Sequence, residues 1–71
     1  MSLTLKLNGQ DRTFDSLTTP TTLNEILNEL GLKPDRVAVE HNGEIAPRSS
    51  WQQSTVHTGD RLEVVHFVGG G

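Results

Sequence analysis

Leu23, Ile26, Leu27 and Leu30 stand at i, i+3, i+4 and i+7, and no other stretch of the chain carries such a stripe. This spacing puts four apolar groups on one side of a helix, and that side needs a second layer to cover it. Thr21 or Thr22 can cap the start, with Glu25 three residues after Thr22 as in a capping box. Gly31 suits the left-handed position just past the stripe, and Pro34 bars any extension. A helix is expected over residues 22–30. Elsewhere the apolar residues alternate or gather in short runs. The single helix must therefore rest on strands.

Leu3, Leu5 and Leu7 alternate with Thr4 and Lys6, the pattern of a half-buried strand. Asn8-Gly9 follows, and both residues tolerate the positive φ of a tight hairpin turn. A second strand over residues 11–17 would carry Phe14 inward. Residues 18–22 form a polar connection that holds Pro20. Residues 37–41 read as a short strand ended by Asn42-Gly43, and residues 45–47 as a brief extended piece. Residues 48–53 read as irregular or as one helical turn, with Trp51 as the one large apolar group. Val56 and His57 lead to a turn at Thr58-Gly59-Asp60, and residues 61–68 form the last strand. The order β-β-α-β-(short β)-β gives an α+β fold, a mixed sheet with one main helix packed on one face.

Seventy-one residues make one domain. A chain of this size buries only about 60% of the surface exposed when unfolded. It cannot hold both a core and a deep active-site pocket, so it is expected to work as a module for larger partners. The net charge is −3, with both signs mixed along the chain and only Phe14, Phe67 and Trp51 as aromatics. Binding to nucleic acid through phosphates or base stacking is not expected. There is no cysteine, hence no disulfide, thiol nucleophile or thiolate metal site. Met1 leads directly into a strand pattern without a leader-like segment, and no apolar run reaches membrane-spanning length. A soluble cytoplasmic protein is expected.

His41, His57 and His66 lie on separate segments without ligand spacing, so no metal is expected. Ser49 and Ser50 have no evident base partner. Gly9, Gly43 and Gly59 are separate turn glycines, not a phosphate-binding loop. Gly69, Gly70 and Gly71 differ from these, because they follow the apolar run from Leu62 to Val68. Taken as a carboxyl end, they read as an anchored thread that offers the Gly71 carboxylate, in preference to a frayed terminus. Three extended residues reach about 10 Å. In the last strand, Leu62, Val64 and His66 share one side, and Val65 and Phe67 the other. With one helix covering the sheet, Val65 and Phe67 would form a partner-binding patch beside the tail. The alternative for Phe67 is to fold over a sheet edge and complete the core.

The β-β-α-β-β order closing on Gly-Gly resembles ubiquitin-like β-grasp proteins. The stretch "VAVEHNGEIAPR" beginning at Val37, then Trp51, Gly59-Asp60 and the "VHFVGGG" ending, is similar to the thiamin sulfur carriers of the ThiS/MoaD family. The resemblance implies a β-grasp domain over residues 1–68 and a flexible tail over residues 69–71. It also implies a carrier that is not itself an enzyme and binds no cofactor. An E1-like adenylyltransferase of the ThiF type would use ATP to adenylate the Gly71 carboxylate. A sulfur donor protein would then displace AMP to leave a thiocarboxylate. A thiazole synthase of the ThiG type would take the sulfur for the thiazole ring of thiamin. Rival readings are the small subunit of molybdopterin synthase, a ubiquitin-like protein modifier, and a β-grasp binding module without terminal chemistry.

Overall fold

The computed structural model describes residues 2–67. Strands β1 (Leu3–Leu7) and β2 (Gln10–Phe14) form the first hairpin, with Leu7 opposite Gln10. Between them Asn8 and Gly9 have φ of 50° and 83°, the two positive values that a two-residue hairpin turn demands. The device recurs at Asn42 and Gly43, with φ of 52° and 88°. It joins β4 (Val37–His41) to the two-residue β5 (Glu44–Ile45). The expectation that Asn42-Gly43 ends a strand holds, and the turn also starts a new one.

Two further short strands, β3 (Thr21–Thr22) and β6 (Thr55–Val56), pair with each other as a separate ribbon. The last strand, β7 (Arg61–His66), lies at the centre of the main sheet, whose order is β2-β1-β7-β4-β5. It runs parallel to β1 and antiparallel to β4. β7 is thus the strand that joins the two hairpins into one sheet.

Helix α1 spans Leu23–Glu29. Thr22 is its N-cap and its hydroxyl accepts the Glu25 N–H at 3.2 Å, which satisfies a donor that the first turn leaves open. The remaining exposed donors are met from an unexpected quarter. The N–H groups of Leu23 and Asn24 donate to the carbonyls of Ser54 and Trp51. The 3₁₀ turn Arg48–Ser50 leads into this segment. Trp51 is buried there, and its Nε1–H donates to the Ala46 carbonyl at 2.7 Å. That bond is needed because a buried indole N–H without an acceptor is costly.

The core comprises Leu23, Ile26 and Leu27 of α1 with Leu3, Leu5, Phe14, Leu17, Val37, Val39, Trp51, Val56 and Leu62. Leu7, Leu30 and Val64 pack around it half-buried. Three expected elements are corrected at their ends. The second strand stops at Phe14, not residue 17, and Leu17 enters the core from a turn in which its N–H reaches the Phe14 carbonyl. The helix is shorter by one residue at each end, where Thr22 and Leu30 serve as caps. The last strand reaches His66, and Val68 lies outside the described residues.

Candidate docking face and strand edge

Alternation along the strands assigns every residue to one of two faces. The face under α1 takes Leu3, Leu5, Val37, Val39 and Leu62. The opposite face is open and divides into two halves. Over β1 and β2 it is polar: the Thr4 and Thr13 hydroxyls lie 3.0 Å apart and Lys6 Nζ is 3.8 Å from Asp11 Oδ1. Over β4, β5 and β7 it is apolar. Ala38 and Val65 are cross-strand partners there. Ile45, opposite Glu40, joins them from β5.

Among the described residues the large exposed hydrophobics are Ile45, Val65 and Phe67, at 70%, 59% and 55% exposure. They fall on one end of one face, as a binding patch does and scattered surface residues do not. Val65 therefore lies where the sequence reading put it. Phe67 is resolved in favour of exposure, and its N–H donates to the Arg36 carbonyl at 2.7 Å. A hollow of about 370 Å³ runs beside it, bounded by Pro34, Val37, Ala38, Ile45 and Pro47. Glu40 and Glu63 face each other across β4 and β7 and give the patch an acidic rim.

Ile45 was not foreseen as part of this patch. The signal was present in the turn: a two-residue loop at Asn42-Gly43 pairs Glu44 with His41 and hence Ile45 with Glu40, an open-face residue. The sequence pattern alone gives residues 45–47 only as a brief extended piece.

Beneath the opposite end of β7, Asp60 gathers the loops. Its Oδ2 accepts the His57 N–H at 3.0 Å and His41 Nε2–H at 2.8 Å. Burial pushes the Asp60 carboxyl up, but the bonds from His57, His41 and the Asn42 side chain, with the His41 charge, outweigh it. Asp60 is held below the ordinary aspartate value. His41 is thus tied to Asp60, while His57 and His66 are exposed on other segments. His66 follows Leu62 and Val64 in register, but at the rim of the sheet it has passed beyond the core. Gly69, Gly70 and Gly71, the expected tail and its reactive carboxylate, lie outside the described residues.

The family model described as the ThiS family matches residues 5–71. A thiazole synthase of Paramagnetospirillum magneticum is 46% identical over 67 residues, which cover 94% of this chain but 20% of that protein. The sulfur carrier protein ThiS of Bacillus subtilis is 36% identical, with 94% of this chain and 98% of that one covered. The crystal structure of a thiamine biosynthesis protein (ThiS) from Geobacter metallireducens superposes with a TM-score of 0.82 at 34% identity. It covers 97% of this chain and all of that one, and the shared fold is the ubiquitin-like β-grasp. The chain therefore spans about a fifth of the length of the first curated relatives it matches and nearly the whole of others.

Proposed function

The chain belongs to the ThiS family, and from that premise we propose that it is a sulfur carrier for thiazole formation in thiamin biosynthesis. The observation that carries the reading is the reach of the family match. It runs from residue 5, within β1, to Gly71, so the glycine ending falls inside the matched region. The partner is argued from the relatives. A protein named thiazole synthase contains, within its much longer chain, a stretch alike to this one. That association favours a thiazole synthase as sulfur acceptor over a molybdopterin or protein-modifying role. A cytoplasmic setting belongs to the same proposal.

With Gly71 as the free carboxyl end, the chemistry is an activation followed by a displacement. A carboxylate is a poor electrophile. An E1-like adenylating enzyme of the ThiF type lets a Gly71 carboxylate oxygen attack the α-phosphorus of ATP, and pyrophosphate leaves. Hydrosulfide, or a donor that delivers its equivalent, attacks the acyl carbon. The bond to AMP breaks, and a thiocarboxylate remains. A ThiG-type thiazole synthase then takes the sulfur. The carrier supplies no catalytic group in this scheme. Its body docks through Val65 and Phe67, and Gly69 and Gly70 lead the carboxylate into the cleft, where a side chain would obstruct entry.

The test is intact-mass analysis after incubation with ATP, the adenylating enzyme and sulfide. The expected product carries sulfur in place of one oxygen at Gly71. Deleting Gly70 and Gly71 together should abolish ATP–pyrophosphate exchange, since the shortened end falls about 7 Å short. Normal exchange by that deletion, with the fold intact, would mean that activation occurs elsewhere.

A further inference from the structure

β7 is flanked unequally along its length. Its odd residues turn their backbone groups toward β4: Arg61 donates to Asn42 Oδ1, and Phe67 donates to the Arg36 carbonyl beyond the last paired residue. Its even residues turn toward β1, where Asn8 N–H donates to the Leu62 carbonyl at 2.9 Å. At Asn8, however, β1 leaves for the hairpin. The Asn8 side chain then substitutes for the missing strand. Its Oδ1 accepts the Val64 N–H at 2.7 Å and its Nδ2–H donates to the Val64 carbonyl at 3.2 Å. Two residues further on, His66 turns its N–H and C=O to the same side. Neither has a hydrogen-bond partner among the described residues, and His66 is exposed.

We infer that this short open edge of β7 at His66, just past the Asn8 clamp, accepts an extended backbone segment from the adenylating enzyme. The inference rests on the carrier reading. Residues 69–71 follow His66 within five positions of the sequence, so the enzyme that takes up that end also comes near this edge. On the β4 flank the strand is already occupied by Arg36, so a partner can pair with it only from the β1 flank. Strand addition suits the task, because main-chain bonds fix the direction of the incoming chain while side-chain pockets supply discrimination. Val65 and Phe67, on either side of His66 in sequence, are exposed to supply those side-chain contacts.

Two substitutions separate backbone from side chain. His66→Ala keeps the N–H, whereas His66→Pro removes it. Proline is tolerated on a strand flank that makes no ladder bond, and the His66 N–H makes none toward β4. Calorimetric titration with the adenylating enzyme should find wild-type affinity for H66A. H66P should bind about tenfold more weakly, the loss of one desolvated hydrogen bond, with its melting temperature near that of wild type. Equal binding by H66P and wild type, or an equal loss in H66A and H66P, overturns the inference. If H66P does not fold, amide exchange on the wild-type chain decides. The His66 amide should exchange freely alone and become protected in the saturated complex, and unchanged exchange overturns the inference. Pyrophosphate exchange by the wild type keeps the two levels apart. Without it the carrier reading fails and the edge falls with it, whereas normal exchange beside an unprotected His66 removes the edge alone.

Discussion

At the scale of single residues, the open face and the Asp60 junction make opposite demands on their side chains. Ile45 and Val65 are exposed apolar groups that contribute little to the core, so their value must come from what covers them. Val65→Asp should weaken binding to the adenylating enzyme by roughly 2 kcal/mol, the scale of an interface anchor. Its melting temperature should stay near that of wild type. Ile45→Asp should behave alike, and unaltered binding by both would remove the patch as the docking face. Asp60 works inwardly. Its folded-state value lies below the ordinary one, so the unfolded chain holds the proton more tightly. Its contribution is complete above the unfolded value, about 3.9, and is lost as pH falls through the folded value. Asp60→Asn should therefore lower stability at neutral pH and flatten the acid side of the stability curve. Urea midpoints from about pH 7 down to about pH 3 will read this. Parallel acid limbs in variant and wild type would show that Asp60 does not govern it.

At the scale of elements, the helix stripe and the core agree closely. Leu27 is 2% exposed at the centre of α1. Leu27→Ala should cost roughly 2–5 kcal/mol in denaturant titration. A loss below 1 kcal/mol would mean that α1 is not seated as described. The stripe was legible because four apolar groups at helical spacing leave few other readings, and the first hairpin because Asn8-Gly9 needs positive φ. β3 and β6 were not legible. Two residues carry no period, and their pairing joins Thr21 to Val56 across half the chain. Trp51 was seen as a large apolar group in an irregular stretch. Its role in closing the helix N-terminus depends on where residues 48–54 travel, which local pattern does not encode. The open-face assignments of Val65 and Phe67 followed from strand alternation and one covering helix, whereas Ile45 required the register set by the second turn.

At the scale of the whole molecule, the sheet has a late keystone. The β1–β2 hairpin and the β4–β5 hairpin do not touch within the sheet, and only β7 bridges them. Both turn asparagines also hold β7, Asn42 at Arg61 and Asn8 at Val64. The strand that leads toward Gly71 is thus the one without which there are merely two hairpins, and an isolated hairpin is marginal in water. A chain cut short before β7 has no docking face to present, because Val65 is absent and Ala38 and Ile45 have no neighbour to align them. Copies cut before β7 therefore disqualify themselves as folds, whereas a copy that lacks only the terminal glycines keeps the strand. On the carrier reading, the copies cut before β7 would not compete with intact chains for an activating enzyme, so the architecture itself screens for a complete last strand.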